Sequence, residues 1–159
     1  MKRLLGVFLA TLVLLFFCGC GPAVSENEEE EGGVGVTDTT DLYLYANGEE
    51  LVAQLSDNSS ARALAELLRG GPLTIEMRDY AGFEKVGSLG QTLPRNDESL
   101  RTKAGDLVLY QGNQFVIYYG ENNWSLTLLG RIEGAMREGL LSVLGEGDVR
   151  VVLSLERMN

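Results

Sequence analysis

From residue 41 onward, apolar and polar side chains alternate with a period of two over several short stretches. Leu73, Ile75 and Met77 alternate with Thr74, Glu76 and Arg78; Val149, Val151, Leu153 and Leu155 alternate with Arg150, Val152, Ser154 and Glu156. Successive side chains of a strand point to opposite faces, so this pattern predicts antiparallel sheet buried on one face, with the other face free to carry a site. LYLYA at 42–46 runs through Asn47-Gly48 into EELVAQL at 49–55. Both central residues tolerate positive φ, which predicts a hairpin closed by a type I′ turn. DLVLY at 106–110, QFVIYYG at 114–120 and SLTLLG at 125–130 supply three more strands.

Two segments switch to helical spacing. In SSARALAELLRGG at 59–71, Ser59 or Ser60 caps the start, Ala61, Leu64, Leu67 and Leu68 form one stripe, and Gly70 suits the left-handed position past the end. In GAMREGLLSVLGEG at 134–147, Met136, Leu140 and Leu144 form a second stripe that stops at Gly145. Both stripes read as core. About seven or eight short strands in so short a segment must bury their apolar face on themselves or on these helices, which favours a small closed or nearly closed barrel with helices plugging its ends.

The first twenty residues follow a different rule. Lys2 and Arg3 precede an uncharged run of 17 residues, Leu4 to Cys20, that ends in small residues. That is the layout of an export signal. Residues 1–19 are expected to be the signal peptide and Cys20 the lipidated first residue of the mature chain, because FCGCGP at 17–22, with Gly19 directly before Cys20, resembles the lipobox of bacterial lipoproteins. Phe17 and Cys18 depart from the usual Leu and Ala or Ser of that motif. An ordinary cleaved signal peptide and an uncleaved anchor helix are the alternatives, although the run is at the short limit for spanning a bilayer. With Cys20 lipidated and Cys18 removed, the mature chain has no thiol left for a disulfide, a nucleophile or a metal. A two-chain lipid anchor gives stable attachment to a membrane.

Residues 20–40 then read as a tether. Glu28 to Glu31 and Gly32, Gly33 and Gly35 cannot bury enough apolar surface to order themselves. A Gly-rich coil of about 20 residues reaches roughly 25 Å. Cation binding by the Glu run is the functional alternative to a solvated spacer. Residues 41–159 form the single folded domain.

Charge and composition remove several functions. The chain carries 13 basic and 23 acidic side chains, a net charge of -10, and no His. No imidazole excludes a His-dependent triad, a His-ligated zinc and an imidazole base. Without a basic stripe, no nucleic-acid partner is expected. There is no GxxxxGK[ST], no GxGxxG after a strand and no EF-hand loop, so no cofactor and no metal are expected, and GEGD at 145–148 reads as a turn. Glu76 and Asp79 are ordinary surface charge without a pocket to perturb them.

The order of these segments resembles the bacterial cyclophilin-like domain family, often found as small lipoproteins. The resemblance covers residues 41–159 and is carried by PLTIEMRDY at 72–80, GFEKVGSLGQTLP at 82–94, AGDLVLYQGNQFVIYY at 104–119, LGRIEG at 129–134 and the closing GDVRVVLSLE at 147–156. It implies a closed eight-stranded antiparallel barrel capped by two helices. More distantly, NQFVIYY is similar to the Gln-Phe-Phe strand of true cyclophilins, which are peptidyl-prolyl isomerases. Gln114 then matches their glutamine, Val116 stands at their second pocket Phe, and Trp124 lies in a loop where some of them carry a Trp. Their Phe-His-Arg segment is absent, and Arg78 is the arginine on the equivalent strand. The alternative for Arg78 is an outward strand arginine paired with Glu76 or Asp79.

Rotating an X-Pro bond crosses a barrier of ~18–20 kcal/mol and needs an apolar pocket beside a hydrogen-bond donor. With Val in place of the pocket Phe, a binding module is expected rather than an enzyme. If Phe115 and Ile117 point into the barrel, Gln114 and Tyr118 face outward, with Tyr110 and Trp124 nearby, a set suited to a peptide or small-molecule ligand. The bland alternative is that Tyr118 covers the barrel and Trp124 packs under its own loop. If the protein is an isomerase instead, Arg78 and Gln114 are its catalytic residues. The expected location is the extracytoplasmic face of a bacterial membrane, with Cys20 as the anchor.

Overall fold

The structure, a computed structural model, describes residues 39–158. The signal peptide, Cys20 and all but the last two residues of the predicted tether lie outside the described residues. The predicted hairpin is present: β1 (Asp41–Ala46) pairs with β2 (Glu49–Leu55), Ala46 opposite Glu49, across Asn47 at φ 52° and Gly48 at φ 83°. Both central residues are thus in the left-handed region that a type I′ turn requires.

After α1 (Ser59–Arg69) come β3 (Leu73–Tyr80), β4 (Glu84–Ser88), β5 (Glu98–Arg101), β6 (Asp106–Tyr110), β7 (Gln114–Tyr118), β8 (Asn123–Arg131), α2 (Arg137–Leu144) and β9 (Val149–Ser154). Eight strands close a ring in the order β2-β1-β9-β3-β4-β7-β6-β8, with β8 pairing back to β2 and every pairing antiparallel. A ninth strand, β5, lies outside the ring and pairs only with the first half of β8, Leu100 opposite Trp124. Leu129 is the extra residue of a bulge in β8, since Leu107 faces Gly130 but Val108 faces Leu128. All ring pairings lie within 41–154, so this segment carries its own core, the requirement for a segment to fold alone.

The interior is filled by Leu42, Leu44, Ile75, Met77, Leu107, Leu109, Phe115, Ile117, Val151 and Leu153, with Leu64 and Leu68 of α1 and Leu140 and Leu144 of α2 packed against them. Three local expectations are corrected. The cap of α1 is Asn58, whose side chain accepts a 2.8 Å hydrogen bond from the Ala61 amide; Ser59 and Ser60 are already helical, and their hydroxyls go to Asn96. Gly70 has a right-handed φ of -72°, and the positive φ falls one residue later, at Gly71. Met136 precedes α2 and is 71% exposed, so that stripe consists of Leu140 and Leu144.

A larger correction concerns the outer face of the sheet, which is not simply solvated. Val108, Val116, Tyr118 and Leu126 are buried there, with Phe83, Val86, Leu100, Tyr110 and Leu128 packed around them. Burial on both faces is why QFVIY reads as a continuous apolar run rather than an alternating one. Trp124 stands on β8 rather than in a loop.

Candidate functional site

The second, outer cluster is the floor of a pocket. Register places Val86 beside Val116, and Val116 beside Val108, so these valines form a row across β4, β7 and β6 on one face. On either side of the row the strands carry polar and aromatic groups: Glu84 opposite Tyr118, and Gln114 opposite Tyr110. The pocket they enclose has a volume of about 390 Å³ and is lined also by Tyr80, Phe83, Asn122, Trp124 and Leu126. That size suits one side chain or a small organic molecule.

The β3–β4 turn builds one wall. Ala81 and Gly82 both take positive φ, 52° and 71°, and the Phe83 amide returns a 3.2 Å hydrogen bond to the Tyr80 carbonyl. This sets Phe83 nearly parallel to Tyr118, ring centres 6.2 Å apart, and edge-on to Tyr80 at 6.1 Å. Tyr118 is consequently only 2% exposed, while Tyr80 at 59% and Trp124 at 61% stand open as the rim.

The polar groups are unevenly satisfied. Asn122 donates to the Tyr118 hydroxyl at 3.3 Å, and Gln114 donates to Asn113 at 3.4 Å. Burial, followed by the adjoining Glu84 carboxylate, pushes the Tyr118 hydroxyl well above the ordinary phenol range, so it stays protonated. Glu84 has one carboxylate oxygen, Oε2, buried without a hydrogen-bond partner. Burial raises its pKa, and the Tyr118 hydroxyl partly opposes that rise.

The four sequence-predicted binding residues, Tyr110, Gln114, Tyr118 and Trp124, all line this one pocket. Tyr118 is on the outward face as expected but is roofed by Phe83 rather than open. Arg78 sits on the same face, in register with Val86, and is exposed, yet it is not part of the lining. Its expected ion pairs do not form: Glu76 pairs with Arg150 at 2.6 Å and Asp79 with Lys85 at 2.9 Å. Sequence reasoning missed Glu84, Phe83, Tyr80 and Asn122. Glu84 and, through its turn, Phe83 depended on the β4–β7 pairing, which no periodicity announced.

A larger cavity, about 700 Å³, lies where Thr39 and Thr40 meet α1. Its walls are Ala61, Ala65 and the long charged side chains of Arg62, Glu66 and Arg69, with no aromatic ring among them. Among the described residues no three His, Cys, Asp or Glu side chains gather as a metal site requires.

A model of the cyclophilin-like family matches residues 44–154. A hypothetical protein of Archaeoglobus fulgidus, known by its solution structure, is similar in three dimensions with a TM-score of 0.55. The match covers 74% of this chain and 95% of that one at 13% sequence identity, a likeness of fold alone. Among curated proteins none matches.

Proposed function

This chain belongs to the cyclophilin-like family, and we propose that it acts as a lipid-anchored, extracytoplasmic binding module whose outer-face pocket takes a peptide segment or a small molecule without transforming it. The lining of the pocket carries this reading. Tyr80, Phe83, Tyr110 and Trp124 bring large rings with few rotatable bonds, and Gln114 and Asn122 bring adaptable amides, all on or beside strands of a closed barrel. Such groups bind with little ordering cost because the scaffold already holds them. The leader and Cys20 support attachment to a membrane through lipid, with residues 21–40 as the spacer.

Two measurements test this. Isotope-labelled residues 36–159, titrated with capped peptides and small organic molecules, should show amide shifts confined to the β3–β4 turn, β4, the end of β6, β7 and residues 122–126; shifts scattered over the surface would defeat the reading. In the full chain expressed in a bacterium, Cys20→Ser should move the protein from the membrane to the soluble extracytoplasmic fraction. Retention in the membrane would favour an uncleaved anchor helix.

A second reading, peptidyl-prolyl isomerase, is favoured by one observation: Arg78 shares the outer face and the register row of Val86 and Val116. In that reading the Arg78 guanidinium and the Gln114 amide donate to the twisted X-Pro amide. A protease-coupled assay on X-Pro peptides separates the two. Acceleration that disappears in both Arg78→Ala and Gln114→Ala would replace the binding module with an enzyme.

A further inference from the structure

Glu84 is anomalous for a charged group in this protein. The two charged side chains buried most completely are both satisfied: Lys85 holds the Asp79 carboxylate at 2.9 Å and the Gly147 carbonyl at 2.6 Å, and Asp106 holds Arg131 at 2.6 Å and the Lys103 amide at 3.0 Å. Glu84 instead has a carboxylate oxygen, Oε2, buried without a donor, and its side chain lines a pocket walled by aromatic rings. Leaving such an acceptor unsatisfied is costly; Gln54 Oε1 is the other such side-chain atom among the described residues, and it is uncharged.

We propose that this pocket selects an organic cation, an ammonium or guanidinium group carried on an apolar stem, with Glu84 as its counter-ion and Tyr80, Phe83 and Trp124 as the rings around it. The inference rests on the binding reading and narrows its ligand to one chemistry. A neutral head group leaves Oε2 without a partner unless it brings a donor, and an anion adds repulsion. A cation supplies both a donor and a charge, and it is attracted by the negative faces of the rings. The stem has its own seat: Val86, Val116 and Leu126 form an apolar strip on which methylene groups lose water.

The described part of the protein does not supply this cation itself. Among the described residues no Lys or Arg lies within ion-pair distance of Glu84, and Arg78, on the same face, points its charge into solvent. Residues 21–40 contain six acidic and no basic side chains. The barrel segment 41–159 has 11 basic and 17 acidic side chains, a balance of -6 that draws cations toward it at long range.

Trp124 is the chain's only tryptophan and stands on the pocket rim, so its fluorescence reports occupancy directly. The probes are a capped alanine-lysine-alanine tripeptide, the same peptide with norleucine or glutamate in place of lysine, and free hexylamine, each titrated into residues 36–159. The lysine peptide should bind about tenfold or more tighter than the norleucine peptide, and the glutamate peptide weakest. Glu84→Gln should bring lysine and norleucine to parity, and Tyr80→Leu should weaken lysine roughly three- to tenfold while leaving norleucine nearly unchanged. Hexylamine as tight as the lysine peptide would support a free amine as ligand; weaker hexylamine would support a cationic side chain on a peptide. Equal affinity for lysine and norleucine in the unmodified protein overturns the cation and leaves the binding module standing. No response to any probe, in fluorescence and in amide shifts, overturns both. If Glu84→Gln does not fold, the lysine-to-norleucine ratio in the unmodified protein and in Tyr80→Leu decides alone.

Discussion

Glu84 and Lys85 are consecutive residues on one strand, and they show how differently the two sides of this barrel treat charge. Lys85 points inward, is 0% exposed, and is held by Asp79, by the Gly147 carbonyl and by the Tyr119 ring 5.5 Å away. Asp79 in turn accepts from the Tyr119 hydroxyl, and Arg137 covers the other part of that ring at 5.1 Å. Glu84 points outward, sits half-buried among rings, and has an oxygen with no donor. A charge inside a packed core survives only when its partners are built in, since a lone buried ion is far too costly. On the binding reading proposed above, the outer face tolerates a deficit that a ligand would complete. The contrast between the two neighbours therefore separates scaffold from site on the same five-residue strand.

The largest effect should come from breaking the inner network. Asp79→Ala removes the carboxylate paired with Lys85 and leaves an ammonium sealed from water, which should cost about 3–5 kcal/mol in urea unfolding of residues 36–159. Lys85→Met should cost less, because Asp79 is about a quarter exposed and can turn to water. The Tyr119 hydrogen bond and then Lys85 hold the Asp79 carboxyl below its ordinary value. A carboxyl with a depressed folded pKa stabilises above its unfolded pKa, near 3.9, and that contribution is lost as pH falls through the folded value. Acid unfolding of the wild type should therefore steepen below about pH 4, and Asp79→Asn should remove that portion of the slope. Equal slopes in the two proteins would show that the network does not depend on the carboxylate.

A somewhat smaller effect should follow from Gly87, the second inward position of β4. A Cβ there would overlap Ile75 Cγ2 and lie 2.7 Å from the Glu76 carbonyl oxygen. The carbonyl belongs to the neighbouring strand and cannot step aside without opening the β3–β4 contact. Gly87→Ala should cost about 1–3 kcal/mol by overpacking, measured as a lower urea midpoint at unchanged slope. An unchanged midpoint would mean that β3 and β4 can separate freely at this point.

These inward residues also explain what the amino-acid pattern hid. The hairpin at Asn47-Gly48, the alternation of β3 and β9 and the two helices were legible because their inward positions are apolar and their turns need special φ. β4 was not, because its inward positions are Lys85 and Gly87 while its one aliphatic side chain, Val86, points out. A strand whose hydrophobic pattern is inverted by a buried ion pair and a close approach gives no periodic signal. β5 carries one partly buried residue, Leu100, and likewise had none. The pocket residues on β6, β7 and β8 could be named from the QFVIYY run and its resemblance to a known family. Those on β4 and its turn, Glu84 and Phe83 above all, depended on a strand that sequence periodicity could not find.

The smallest effect has the opposite sign, and it tests the comparison most directly. If Glu84 were a structural charge like Lys85, Glu84→Gln would destabilise the fold. Burial raises its carboxyl pKa instead, so the charged form is the one the folded state disfavours. A carboxyl with a raised folded pKa contributes stability below its unfolded value, near 4.3, and loses it as pH rises through the folded value. Glutamine keeps the shape and carries no charge to desolvate, so Glu84→Gln should be more stable than the wild type at pH 7 by about 0.5–1 kcal/mol, a buried-acceptor penalty discounted for partial exposure. The gain should shrink toward zero as pH falls below 4, and urea midpoints measured at pH 7 and pH 3.5 would show it. A substitution that strengthens the empty fold while weakening its hold on a cation is what a binding residue produces, because the strain it carries in the free protein is relieved only by the ligand. Destabilisation at pH 7 would instead place Glu84 with Lys85, as part of the framework.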